Sequence, residues 1–320
     1  MDLTSTRPPA PAGLAREVRP AVAAFAAEVG RQGPVAVVGA RTQWHVGGPL
    51  DPAAREVRAP AGIVEYEPAE MVVRCGAGTS VAELAAALAG AGQMVPLDPD
   101  DLRATVGGLL AVGHSGIRRL RFGPIRDTLL EATFVDAGGA VVTAGGPVVK
   151  NVTGYDLCRL LVGSLGTLGL LAEVVLRAQP RPPVSRWLRH DGADPFDTRR
   201  RLFRPSAVLW DGSTTWVLLE GNGGDVASEQ RSLGAGWSEV EHGPSRPAGG
   251  RRSLRPSALR ALPGELGAGE FLAEIGVGTV HVTREVPPGS PDPSTRHLHE
   301  ALRDVFDPER RLNPGRRVHA

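Results

Sequence analysis

Chemistry-bearing residues are sparse in this chain, and three stretches hold most of them. The first is residues 39–48, Gly-Ala-Arg-Thr-Gln-Trp-His-Val-Gly-Gly, directly after the short apolar run Val35-Ala-Val-Val. A strand that opens into a glycine-bounded polar loop can turn successive backbone N–H groups toward one anion. A structural hairpin would read the same way. No G-x-x-x-x-G-K-[ST] pattern is present, so this is not a P-loop. The second stretch is residues 105–127, where Gly107, Gly108, Gly113 and Gly116 alternate with small residues. It reads as a loop able to lay a flat ring or a pyrophosphate against backbone. The third is residues 147–171. It holds Lys150, the only lysine, and Tyr155, one of two tyrosines, followed by Gly163, Gly166 and Gly169 at every third position. A helix C-cap and a loop would explain those glycines equally well.

Other candidates are more scattered. Gly76-Ala-Gly78 resembles a dinucleotide turn, but the third glycine of G-x-G-x-x-G would fall at Val81. It therefore reads as an ordinary strand-to-helix turn. Arg118, Arg119, Arg121 and Arg126 could supply a cation for a carboxylate, and Asp127 and Asp156 read as structural caps. His45, His114 and His281 are the histidines nearest the glycine-rich stretches and the later strand pattern.

These residues need a scaffold, and the hydrophobic pattern outlines one. Apolar positions at helical spacing cover residues 14–30 and end at Gly30, and residues 1–13 read as a disordered tail. Strands are expected at Val35–Val37 with Val38, near residues 65–66, and at residues 71–75. A helix follows over residues 81–88 with Thr79 or Ser80 as N-cap and Glu83 placed for a capping box. Strands at 129–136 and 140–143 form a hairpin around Gly138-Gly139, and another strand covers 170–176. Pro180-Arg-Pro-Pro183 marks a boundary. Beyond it lie a hairpin at 207–219, a helix at 225–233, a loop at 242–252, a strand over 271–286 and a helix at 294–306.

Composition narrows the function classes. The 320 residues carry a net charge of +1, so no basic field points to nucleic acid. Cys75 and Cys158 lie far apart with no CxxC pairing, which argues against a zinc site or a disulfide framework. No signal-peptide pattern and no apolar run of membrane-spanning length is present. A cytoplasmic protein is expected, with membrane contact only through partners, peripheral to the inner face.

Four ordered segments together resemble one family: residues 39–48, Gly76-Ala-Gly78 with 90–96, residues 105–127, and Lys150-Asn-Val-Thr-Gly-Tyr-Asp156 through Gly169. Residues 306–315, with Leu312-Asn-Pro-Gly315, match its C-terminal signature. The chain resembles the PCMH-type (vanillyl-alcohol oxidase-like) FAD-binding flavoproteins, most of all the FAD-binding subunits of bacterial glycolate oxidases. The resemblance implies an α+β fold with a small cap domain. The FAD-binding domain would span 14–180, in subdomains of about 14–98 and 99–180. A reduced cap would cover 181–290, and 291–320 would return to the FAD domain.

The resemblance also implies the site. Gly39, Ala40, Arg41, Thr42 and Gln43 would wrap the FAD pyrophosphate, with Trp44 and Pro96 beside them. Thr105, Gly107, Gly108, Gly113, Ser115 and Gly116 would hold the pyrophosphate and the flavin edge. Gly166, Gly169 and Leu170 would meet the adenosine end, and Asn313 the isoalloxazine. Covalent members carry a histidine where Thr42 stands, so non-covalent FAD is implied. Lys150 and Tyr155 could stand by the flavin, where a cation stabilises its reduced anion. Relatives that oxidise 2-hydroxy acids carry a His-x-Gly-x-Gly-Asn-x-His metal and substrate cluster. Here residues 275–281 keep only His281, and no metal is implied. The implied function is the FAD-binding subunit of a glycolate oxidase-like 2-hydroxy-acid dehydrogenase, working with a larger flavoprotein subunit and an iron–sulfur subunit. Alternatives are a self-sufficient FAD-dependent alcohol dehydrogenase and a flavin-free scaffold.

Overall fold

The computed structural model describes residues 19–146, 156–284 and 293–318, so Lys150 and Tyr155 lie outside the described residues. Helix α1 (Pro20–Val29) turns Val22, Phe25 and Val29 inward and stops at Gly30, whose φ of 64° suits glycine. Strands β1 (Val35–Val37) and β2 (Arg55–Val57) pair in parallel. Leu312 adds a parallel bridge to Val35, so the C-terminal segment completes this small sheet.

Next come β3 (Ile63–Glu67), β4 (Val72–Gly76) and α2 (Val81–Ala89), whose N-cap Ser80 accepts the Glu83 amide. Strand β5 (Gln93–Met94), helices α3 (Val106–Val112) and α4 (Arg119–Phe122), strands β6 (Leu129–Val135) and β7 (Val141–Gly145), and α5 (Leu157–Leu161) follow. Strand β8 (Leu170–Arg177) then enters the sheet, and the short β9 (Gln179–Pro180) pairs with β5. The five-stranded antiparallel sheet has the order β3-β4-β8-β6-β7. Its central strand β8 is buried on both faces, between α2, α3 and α5 on one side and α1 on the other. The sheet draws strands from both sides of residue 98, because β8 pairs with β4 and with β6.

The second body is built on β10 (Val184–Asp191), α6 (Pro195–Arg201), β11 (Ala207–Trp210), β12 (Thr214–Gly221), α7 (Gly223–Leu233), β13 (Ser238–Val240) and β14 (Gly250–Ser253). Helix α8 (Leu262–Glu265), strands β15 (Phe271–Glu274) and β16 (Thr279–Val282), and α9 (Pro293–Phe306) complete the chain. Seven antiparallel strands lie in the order β13-β10-β12-β11-β15-β16-β14. The outer face is covered by α6, α7 and α8 around Leu188, Trp210, Val217 and Phe271. On the inner face Leu209, Leu218 and Leu272 pack with Trp187 and Trp216 against Ile117 of the first body.

Three local readings change. Residues 106–112 form a helix, capped by the Thr105 hydroxyl and closed by Gly113 at φ 74°, where the glycine density suggested a loop. The apolar pattern of Val106, Leu109 and Leu110 outweighs the low helix propensity of Gly107 and Gly108, because those three side chains fill the core. The single strand expected over 271–286 is a hairpin, since Gly276 (φ 84°) and Gly278 (φ 95°) turn the chain between β15 and β16. The loop expected at 242–252 ends in β14, the edge strand beside β16.

Candidate functional site

An open cleft separates three glycine-rich walls of the first body. The first wall is the loop after β1, with Gly39, Ala40, Arg41, Thr42, Gln43 and Trp44 all on the lining. Arg316 sets its shape. Its Nη1 donates to the carbonyls of Trp44 (2.7 Å), Val46 (3.0 Å) and Gly48, and its guanidinium stacks on the Trp44 ring at 4.3 Å. Arg41 approaches that ring at 5.0 Å. Among the described residues, no hydrogen bond takes the amides of Gly39, Ala40, Arg41, Thr42 or Gln43. Five consecutive free donors on a loop whose carbonyls are tied down by a cation suit a pyrophosphate. Arg41 has φ 59°, the left-handed turn such a nest uses.

The second wall is the start of α3. Thr105 Oγ1 accepts the Gly108 amide at 3.2 Å, and the Gly107 amide donates to Ala77 O at 2.8 Å. Close approach requires glycine here: a Cβ on Gly107 would stand 2.7 Å from Ala77 Cβ, and one on Gly39 would overlap the Thr105 side chain. The third wall follows α5, where Ser164, Leu165, Gly166 and Gly169 line the cleft. Asn313 closes its base. Its Oδ1 accepts from Val37 N (3.0 Å) and its Nδ2 donates to Leu165 O (2.7 Å), which leaves one Nδ2 hydrogen and one Oδ1 lone pair. Asn313 thus borders the cleft while its amide ties β1 to the α5 loop.

Five residues expected at the site do not line the cleft. Leu170 is buried in the core between α1 and β1. Gly113 is the C-cap of α3, packed so that a Cβ would lie 2.8 Å from Gly163 Cα. Ser115 Oγ accepts the Ile125 amide at 3.0 Å, Gly116 is pressed against the Asp98 side chain, and Pro96 stands half-buried away from the lining. Conversely, Ala77 and Gly78 line the cleft, though their turn looked ordinary, as do Ala104, Ser164 and Arg316. Small residues that expose backbone were the available signal for the first four; Arg316 had none.

The residues fit a dinucleotide. The glycine walls leave flat space, and the Gln43 Oε1 on the lining is buried with no partner, an acceptor for a ligand hydroxyl or N–H. The inner face of the second body, which packs on Ile117, carries a second polar group. There His281 Nε2 lies 2.9 Å from Glu274 Oε1, on side chains 12% and 3% exposed. The loop after α3 brings His114 toward them. Burial first, then the charges of Arg251, His45 and His281, push its pKa from 6.5 down to about 3, so it stays a neutral imidazole.

The arginines divide. Arg118 joins the bodies, with Nη1 on Asp98 (2.5 Å) and Nη2 on Glu220 (2.9 Å), and Arg121 donates to the Glu220 and Arg204 carbonyls. Arg126 stays solvated beside Asp127. Among the described residues no cluster of three His, Cys, Asp or Glu could hold a metal, and no helix is long and apolar enough to cross a membrane.

A five-stranded sheet with three glycine walls around free amides, packed against a second, seven-stranded sheet, is a flavoprotein architecture. Residues 15–145 match the FAD binding domain family, and the chain carries a PCMH-type FAD-binding domain. Over 209 residues the chain is 35% identical to the glycolate oxidase subunit GlcE of Escherichia coli, a match covering 63% of this chain and 60% of that protein. It is 36% identical to a D-lactate dehydrogenase of Archaeoglobus fulgidus over 37% of this chain and 27% of that one. For glycolate oxidase subunit GlcD of Bacillus subtilis the identity is 32%, over 39% and 27%. The chain therefore spans less than two thirds of the length of each of these relatives. Among solved structures, alkyldihydroxyacetonephosphate synthase in two crystal forms superposes with TM-scores of 0.61 and 0.63 at 14% identity, covering 88% of this chain and 71% and 72% of those. That likeness is one of fold.

Proposed function

We propose that this chain is the FAD-carrying subunit of a glycolate oxidase-like 2-hydroxy-acid dehydrogenase. The observation that supports it most is the row of five free amides at 39–43, braced by Arg316, in a chain 35% identical to GlcE. Those amides would hold the pyrophosphate, α3 and the α5 loop would flank the rest of FAD, and Gln43 Oε1 would accept from it. Bound FAD supplies the two-electron acceptor; the chain's own part is to bind and orient it, exclude water and handle protons. The FAD is non-covalent, with Thr42 in the first loop. Working partners would be a larger flavoprotein subunit and an iron–sulfur subunit, on the cytoplasmic side, with Lys150 and Tyr155 serving the flavin.

A second reading is a self-sufficient FAD-dependent dehydrogenase, favoured by the buried His281–Glu274 pair on the inner face of the second body. Glycolate and D-lactate with a dye acceptor separate the two. The subunit reading expects little turnover from the purified FAD-loaded chain and a large rise when partners are added. Robust turnover by the chain alone would overturn it.

A further inference from the structure

One connection in the second body crosses its whole sheet. Strand β13 is one edge and β14 the other, so residues 241–249 run from edge to edge. Seven strands at a spacing of about 4.8 Å set those edges roughly 29 Å apart across the sheet. The ten residue steps from Val240 to Gly250 reach about 33–36 Å at full extension, so this strap has little slack. It runs over the inner face, because α6, α7 and α8 cover the outer one. A Cβ on Gly243 would stand 2.6 Å from the Trp187 ring, and Trp187 shares the inner face with its cross-strand partner Leu218. Pro244 and Pro247 stiffen the middle of the strap.

A single side chain ties the strap to the first body. Arg246 Nη2 pairs with the Asp100 carboxylate and donates to Asp98 O at 3.4 Å. Asp100 is 73% exposed, so this pair contributes little and is screened by salt. Arg251 works against it. Burial first, then the charges of Arg119 and Arg246, hold the Arg251 pKa below its usual value despite Glu274, so Arg246 stands close enough for the two cations to repel. The other cross-body tie is of a different kind, since Arg118 reaches a Glu220 side chain that is only 2% exposed. One tie is buried and durable, and the other is exposed and weak.

We propose that β13 and the strap form one movable cover over the inner face, latched to the first body by Arg246. A strap without slack cannot lift from Trp187 while both of its ends stay paired. Strand β13 is the end that yields, because it pairs with β10 alone over three residues. Strand β14 pairs over four residues with β16, and Leu254 N continues that ladder by donating to Gly278 O at 2.8 Å. Release of Arg246 from Asp100 therefore frays β13 at one edge of the sheet and uncovers Trp187 and the inner face beside Arg251. The cover needs no bound cofactor and stands apart from the reading of the cleft.

Hydrogen exchange on the full chain tests it, read at the amides of β13, with the rate of Glu-C cleavage after Glu241 as a second measure of opening. Arg246→Ala should raise both rates by about threefold to fivefold, the most that an exposed ion pair supplies. Asp100→Asn should do the same from the other partner, and Arg246→Lys should keep most of the protection. Sodium chloride at about 0.5 M should bring wild type toward the Arg246→Ala rates. The amides of β11 and β12 should not change. Faster cleavage with unchanged β13 amides would show that the strap lifts alone and would overturn the single cover. Unchanged rates at both places in Arg246→Ala and Asp100→Asn, or a rise spread equally through β11 and β12, would overturn the latch.

Discussion

The two bodies build their polar surfaces from different material. The cofactor cleft is made of backbone: free amides at 39–43, glycines at 39, 107 and 166, and carbonyls pinned by Arg316. The inner face of the second body is made of charged side chains on strands: Glu220, Arg251, Glu274 and His281. A backbone site tolerates no bulk but needs no particular charge. A side-chain site tolerates changes of shape but fails when one partner of a buried pair is removed. Substitutions should therefore break the two halves in different ways.

The largest effect is expected at the glycines. Gly107→Val should lose FAD and also destabilise the fold, because the new Cβ meets Ala77 Cβ at 2.7 Å. Gly108→Phe should lose FAD with the fold intact, since Gly108 is exposed and its only close neighbour is Thr105 Oγ1 at 2.8 Å. Flavin absorbance per chain, read beside circular dichroism, distinguishes the pair. Full flavin content in Gly108→Phe would break the placement of that wall.

On the side-chain half, Arg118→Ala should cost about 3 kcal/mol, because it strands the buried Glu220 carboxylate. The double variant Arg118→Ala/Glu220→Gln should recover part of that loss in urea denaturation. Equal costs for the single and double variants would show that the ion pair does not couple the bodies. Arg316→Ala should act on cofactor more than on fold. Losing a charged donor to the Trp44, Val46 and Gly48 carbonyls should weaken FAD binding by about tenfold to a hundredfold in a fluorescence titration.

The smallest effect is acid sensitivity. His114 titrates near pH 3 when folded and near 6.5 when unfolded, so the unfolded chain binds the extra proton between those values. Stability contributed by neutral His114 is full above pH 6.5 and falls by up to about 1.4 kcal/mol per pH unit as pH drops toward 3. Thermal melts of His114→Asn should show a shallower acid slope than wild type.

This contrast also decides what was legible in the sequence. Glycines mark where backbone can approach a ligand, so residue types and spacing drew attention to 39–48, 105–127 and 163–169, each with a structural alternative, while the assignment of 39–44, Thr105, Gly107, Gly108, Gly166 and Gly169 to FAD rested on the family resemblance. Composition could not separate glycines that line the cleft from those that pack the scaffold. Gly113 and Gly116 look the same in sequence, yet one caps a helix and the other makes room for Asp98. Strands carry their inward charges singly, far apart in the chain and at period two. Arg251 and Glu274 therefore left no local mark, and only the register of β14, β15 and β16 unites them. The glycines in β15-turn-β16 were visible, but their positive φ values, which make a hairpin from an apparent strand, were not.

The central claim, that the cleft at 39–44, α3 and Arg316 holds one non-covalent FAD, is tested most directly by acid precipitation of the purified, FAD-saturated chain. A non-covalent cofactor in this cleft gives a yellow protein that releases one FAD per chain into the supernatant, with a colourless pellet. A chain that takes up no flavin on titration, or a pellet that keeps its flavin, would contradict it.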